Sequence, residues 1–334
     1  MSHWEDMLAE FRALGGVAEN LCLKNGPFGR GLFPLDPWKP YKLHIPPSLL
    51  VNTDHVEFHN DVFRVGPNAQ LSERARSFLE TYERDFSWGV ANQDVRHVFQ
   101  MLSEAPEEIR ELMSAIFNAD AWLAEYTDSA VQRRYLKSRA MTFKPGMEVV
   151  MPIVELANHG HKSNYEVDEQ GVGLEGKTEG EILVRYSQKD ALGLFLSWGF
   201  VSENEPFACS LSLTIEKKGP PLRILRKPVN VDLRPWPFMP DVTHEGEMLV
   251  LSFLMLGNRN NVQLPRAIFN HVMREAGRKN AIEMFDYIQH FNRLQWFKLL
   301  KASEAAAKPL GRLLRNLALS QLEAMSYNVG GQQF

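Results

Sequence analysis

The sequence predicts an α+β protein in which a β-rich domain is interrupted by a helical insertion and followed by an all-helical domain. Three observations carry this reading. Short strand patterns bounded by Gly and Pro recur before Val65 and between Met147 and Leu233, without the repeated βα units of a doubly wound nucleotide-binding sheet. Residues 70–139 switch to helical spacing. After "RPWPFMPD" (residues 234–241), where three prolines in eight residues exclude regular structure, the pattern reads as helical over 246–327. The expected domains are therefore 1–233, with the insertion at about 70–139, and 246–328.

The first segment, "MSHWEDMLAEFRALGG", is polar and amphipathic and lacks the basic start and apolar core of a signal peptide. "NGPFGRGLFPLDPWKPYKLHIPPSLLVN" is dense in turn residues, and "HVEFHNDVFRV" alternates like a strand pair. In the insertion, "LSERARSFLETYERDF" follows a Ser cap, and "SEAPEEIRELMSAIF" places Pro106 and two glutamates where a helix starts. Strands are expected in "MEVVMPIVEL", "VDEQGVGLEGKTEGEILVRYS", "ACSLSLTIEK" and "LRILRKPVNVDL". The apolar run "MLVLSFLMLG" (248–257) falls far short of the ~20 residues that span a bilayer, and is read as a buried helix.

Composition narrows the function. Of 334 residues, 44% are apolar and 23% charged, and 37 basic against 41 acidic residues give a net charge of −4. That balance draws in neither nucleic acid nor an anionic membrane, so neither is an expected partner. Two cysteines, Cys22 and Cys209, build no disulfide framework or Cys-rich metal cluster and suit a reducing cytoplasm.

Several candidate chemistries fail on the residues themselves. His159 and His161 would share one face of a strand, and His55 and His59 have the i, i+4 spacing of a helical zinc pair. Yet "HVEFH" lacks the HExxH glutamate and alternates like a strand, and no Cys lies near either pair, so no metal is expected. "GPFGRG" has no Walker lysine and no following helix. Its glycines allow a turn, or close approach of backbone to a ligand. No G-x-S-x-G motif joins a strand to a helix.

One constellation draws on several segments in order. "GRGLF" and "LHIPPSLL" precede the insertion; "LKSRAM" follows it; "PIVELANH" comes next; and "EILVRYS" and "SWGFV" close the series. Over about residues 20–210 this order resembles a SET-domain methyltransferase, in the branch that includes the Rubisco large-subunit lysine methyltransferase and the actin histidine methyltransferase. The resemblance implies a SET fold with a pseudoknot formed near "ELANHG" and "YS…WGF", and S-adenosyl-L-methionine as cofactor. It implies that Phe28, Gly29, Arg30 and Gly31 line the cofactor with their backbone, that Arg139 meets its carboxylate, and that Glu155 orients its neighbours. Asn158 and His159 would hold the ammonium and adenine ends. Tyr186 would be the active-site tyrosine, and Trp198 and Phe200 would line the substrate channel. The helical tail would be the substrate-binding domain, docking a protein or peptide.

The sequence departs from the family pattern at Glu155, an Asp position, at Ser187, a Gly position, and at Trp198, a Tyr position. A protein lysine is the expected methyl acceptor. Histidine, peptide or small-amine acceptors on the same fold, or a binding module with a decayed SET core, are the alternatives.

Overall fold

Residues 3–161, 163–216, 221–227 and 238–326 are described by a computed structural model of the chain. Residues 228–237 and 327–328, which include the end of the last expected strand, much of the proline-rich linker and the expected C-terminal boundary, lie outside the described residues. The chain divides into two compact units, Met1–His97 with Thr127–Ser187 and Val98–Tyr126 with Gln188–Phe334.

In the first unit, α1 (His3–Ala13) buries Trp4, Met7, Leu8 and Phe11, the apolar side of the amphipathic opening. Short strands follow: β1 (Val17–Glu19), β2 (Leu21–Gly26), β3 (Gly29–Pro34), β4 (Tyr41–Ile45), β5 (Val51–Asn52), β6 (Val56–His59) and β7 (Val62–Val65). The alternation in "HVEFHNDVFRV" folds as the antiparallel hairpin β6–β7. Its turn residues Asn60 and Asp61 both take positive φ, which these side chains tolerate and a two-residue hairpin turn requires.

The insertion contains α2 (Glu73–Phe86), α3 (Trp88–Ser103), α4 (Glu107–Ala115), α5 (Asp120–Leu123) and α6 (Asp128–Arg139). Ser72 caps α2 by accepting from Ala75 N, and Thr127 caps α6 by accepting from Ala130 N. Strands then return as β8 (Ala140–Lys144), β9 (Met147–Val150), β10 (Asn158–His159), β11 (Glu166–Asp168), β12 (Gly171–Gly176) and β13 (Leu183–Val184). The largest sheet here runs β1-β4-β12-β11, and β5-β9-β8 forms a second. β10 and β13 pair in parallel, bringing 158–159 beside 183–184.

Three expectations are corrected. "MEVVMPIVEL" is not one strand: β9 ends at Val150, Ile153 takes φ of 69°, and Val154–Leu156 form a single 3-10 turn. Pro152 cannot donate to a sheet ladder, so the strand stops there.

The region from 246 is not helical throughout either. α7 (Ala191–Trp198), β14 (Phe207–Cys209), β15 (Leu213–Ile215) and β16 (Leu222–Ile224) are followed by β17 (Val242–Glu245), β18 (Met248–Leu251) and β19 (Met255–Asn258). Helices begin only with α8 (Leu264–Glu275), α9 (Ala281–Ala302) and α10 (Lys308–Ser326). "MLVLSFLMLG" is thus two buried strands; a run that is apolar on every side has no periodicity to separate strand from helix.

The expected boundary at 233–246 fails for a related reason. The sheet β15-β16-β18-β17 and the pair β14–β19 hydrogen-bond segments from both sides of it. Among the described residues no helix is long and apolar enough to cross a membrane.

Candidate active site

Arg139 ends α6, where a cation meets the negative end of the helix dipole. One turn earlier Tyr135 lies beneath it, its ring centroid 5.4 Å from the guanidinium carbon. Glu155, in the 3-10 turn after β9, accepts from Arg139 Nη1 at 2.9 Å and is almost fully buried. Burial works against the charge of Arg139, but Glu155, Tyr135 and Tyr186 around it prevail and raise its pKa. Among the described residues, the rest of this guanidinium has no hydrogen-bond partner.

Behind Glu155 lies a polar cluster absent from the sequence-level expectations. Glu155 Oε1 accepts from the Tyr82 hydroxyl at 2.7 Å and from Ser87 Oγ, which also contacts the Tyr135 hydroxyl. Tyr135 in turn is 2.9 Å from Glu83 Oε2, and Trp88 N–H donates to the same oxygen at 3.3 Å. Glu83 is completely buried. Burial and the charge of Glu155 push its carboxyl up to about 8. Burial likewise raises the hydroxyls of Tyr82 and Tyr135, with both glutamates adding to it. A signal for this cluster did exist: Ala75, Phe78, Leu79, Tyr82 and Phe86 form the buried stripe of α2, and Glu83 falls on it.

Asn158 ties β3 to the segment before β13. Its Nδ2 donates to Arg30 O at 3.2 Å and to Glu181 Oε1 at 2.6 Å, which leaves its carbonyl oxygen as an acceptor. Gly31 makes this approach possible: a Cβ there would stand 2.1 Å from Glu181 Oε1 and 2.7 Å from Asn158 Nδ2. Gly29 takes φ of 92° in the β2–β3 turn, Phe28 stands 62% exposed at its tip, and the Arg30 guanidinium donates to Phe86 O. Glu181, the acidic residue of "EILVRYS", was not singled out from sequence.

Tyr186 and His159 are neighbours. Tyr186 N–H donates to His159 Nδ1 at 3.3 Å, the rings are 5.3 Å apart, and the Tyr186 hydroxyl donates to Ala157 O at 3.0 Å. Burial pushes the Tyr186 phenol up to about 12, with Arg139 pulling the other way. At neutral pH it keeps its proton. Tyr165, also missed, is within electrostatic reach of Tyr186, Glu155 and Arg139, and burial raises its hydroxyl.

The first unit therefore brings together Arg30, Gly31, Arg139, Glu155, Asn158, His159 and Tyr186, while Phe28 projects from the hairpin tip. Trp198 and Phe200 belong to the second unit. Trp198 is the last residue of α7, before the left-handed cap Gly199, and Phe200 is half-buried. Lys189 Nζ lies 4.7 Å from the Trp198 ring centroid and 2.5 Å from Ser197 Oγ.

His55 ends a 3-10 turn and His59 ends β6, so they do not share a helix face, and His59 pairs with Glu57 at 2.8 Å. The His159 and His161 rings are 5.3 Å apart, edge to face.

No protein-family model matches the chain, and no curated protein sequence matches it. Among solved structures it is similar to the SET domain of LSMT bound to lysine and AdoHcy, with 14% identity, 97% of this chain and 88% of that chain covered, and a TM-score of 0.42. The SET domain of LSMT bound to methyllysine and AdoHcy gives 14% identity, coverage of 98% and 91%, and a TM-score of 0.44. Rubisco LSMT bound to AdoMet gives 13% identity, coverage of 98% and 91%, and a TM-score of 0.41. At this level of likeness neither family nor function is assigned to the chain.

Proposed function

We propose that the chain is an S-adenosylmethionine-dependent N-methyltransferase acting on a protein side chain, with lysine as the acceptor. The observation that carries this reading is Arg139, held from one side by Glu155 and from below by Tyr135, with the remainder of its guanidinium left for a ligand oxygen. A planar fork of this kind suits a carboxylate. The ordered motifs around it support the SET reading, and the parallel pairing of 158–159 with 183–184 brings two of those motifs side by side.

The donor set fits the cofactor. Arg139 would take its carboxylate, the Asn158 carbonyl oxygen its ammonium, and the backbone around Gly29, Arg30 and Gly31 would flank it together with His159. S-adenosylmethionine supplies a methyl group on a sulfonium, open to in-line attack by a neutral nitrogen. An alkylamine has a pKa of ~10.4 in water, so desolvation must favour its neutral form. Tyr186 is not the base, because its own proton is held to about 12. Its hydroxyl, fixed by donation to Ala157 O, would accept an N–H and aim the amine.

A protein or peptide would dock on the C-terminal helices, where α9 exposes Ile282, Leu294 and Phe297.

Tyr186→Phe tests the chemistry. Affinity for S-adenosylhomocysteine is expected to stay within about twofold while turnover falls about 100-fold, the usual effect of removing one aimed hydrogen-bonding group. Unchanged turnover would remove Tyr186 from the reaction. Mass spectrometry of the methylated product identifies the acceptor.

A further inference from the structure

Two buried carboxyl groups lie behind one guanidinium, and one of them touches it. Glu155 Oε2 is 2.9 Å from Arg139 Nη1, whereas the hydrogen bonds of Glu83 among the described residues are with the Tyr135 hydroxyl and Trp88 N–H. Glu83 Oε1 is buried and has no partner among the described residues. A chain of three contacts joins the acids: Glu83 Oε2 to the Tyr135 hydroxyl, that hydroxyl to Ser87 Oγ, and Ser87 Oγ to Glu155 Oε1. Each contact needs a proton between its two oxygens, and the two hydroxyls supply only two. The third proton must come from a carboxyl. Arg139 and the Tyr82 hydroxyl, which donates at 2.7 Å, hold the negative charge on Glu155, so the proton resides on Glu83.

We propose that Glu83 is a positioning residue: a neutral, buried carboxylic acid whose proton directs the Tyr135–Ser87–Glu155 hydrogen bonds and thereby fixes the Arg139 guanidinium. The proposal rests on the reading of Arg139 as the anchor of a ligand carboxylate. The groups facing Glu83 and its relay are Tyr82 from α2, Ser87 and Trp88 N–H from the α2–α3 junction, Tyr135 and Arg139 from α6, and Glu155 from the 3-10 turn. With its carboxyl pushed up to about 8, Glu83 ionises just above neutral pH. Ionisation removes the third proton and places a second negative charge behind Arg139, weakening its hold on an anion.

The test is calorimetric titration of S-adenosylhomocysteine into the wild-type protein and Glu83→Gln, whose amide supplies the missing hydrogen without ionising. The ligand's own ammonium also titrates at alkaline pH, so the ratio of the two Kd values is read rather than either alone. That ratio, wild type over variant, is expected to rise about fivefold as pH passes through the Glu83 titration. A ratio independent of pH overturns the proposal.

Stability without ligand gives a second readout. A folded-state pKa of about 8 against the ordinary 4.5 means that wild-type stability falls as pH rises between those values and levels off above them. Glu83→Gln lacks that fall, so its melting temperature should gain on the wild type across this range, and a constant gap overturns the assignment of the proton. Failure of the wild type to bind the ligand at any pH overturns the anchor reading, and the positioning role with it, while the melting comparison still decides where the proton lies. Should Glu83→Gln not fold, infrared titration of the wild type replaces it. A protonated-carboxyl band at neutral pH that vanishes as Glu83 ionises is the expected result, and absence of that band at neutral pH is the contradicting one.

Discussion

Each unit buries a carboxylate beside an arginine, and the surroundings of the two pairs differ in one respect. In the second unit, Asp190 caps α7 by accepting from Gly193 N, accepts from Cys209 N at 2.9 Å, and pairs with Arg226. The guanidinium of Arg226 also donates to the carbonyl oxygens of Cys209 and Ser210. Each partner thus has several hydrogen bonds, and the pair joins α7 to the strands beside it. In the first unit, Arg139 gives one nitrogen to Glu155 and has no further hydrogen-bond partner among the described residues, while a second acid, Glu83, stands behind it with an unpartnered oxygen. A buried pair with protein partners on both sides belongs to the architecture. One whose guanidinium meets a single protein acceptor has bonding capacity left for a ligand.

The comparison can be broken most strongly at Arg226. Arg226→Met leaves Asp190 buried without its cation, and denaturant unfolding should show a loss of about 3–5 kcal/mol. Affinity of the folded variant for S-adenosylhomocysteine should not change; a large drop would make the second pair part of the binding site. A smaller effect, reaching both stability and binding, is expected at Gly31. Gly31→Ala drives a methyl group into Glu181 and Asn158, and should cost about 1–3 kcal/mol of stability together with ligand affinity. If unfolding and binding are both unaffected, the Asn158–Glu181 pair is not what requires glycine there.

How much of this was legible in the sequence depends on what kind of signal each element leaves. The β6–β7 hairpin and the Ser72 cap were readable because alternation and capping are local. β18 and β19 were not, because their uniformly apolar run reports burial and nothing about period. In the candidate site, Arg139, Glu155, Asn158, His159 and Tyr186 were picked out by motif order, but Glu83, Ser87, Tyr135 and Glu181 beside them were not. Glu83, Ser87 and Tyr135 sit in helices or at a helix junction, where a glutamate usually faces water. Only its place on the buried stripe of α2 marks Glu83 as different, and the chain it forms with Glu155 is made by tertiary contacts between residues 48, 52 and 68 positions apart. The apparent family signature at Gly31 also acquired a nearer cause, the approach of Glu181.

The claim at the centre of this account is that the spare face of Arg139 holds a carboxylate. Calorimetric titration of S-adenosylhomocysteine into the wild-type protein, Arg139→Lys and Arg226→Lys tests it most directly. Lysine keeps the charge and loses the fork, so binding should weaken about 10–100-fold in Arg139→Lys and stay at the wild-type value in Arg226→Lys. No binding to the folded wild-type protein, or equal weakening in both variants, would contradict it.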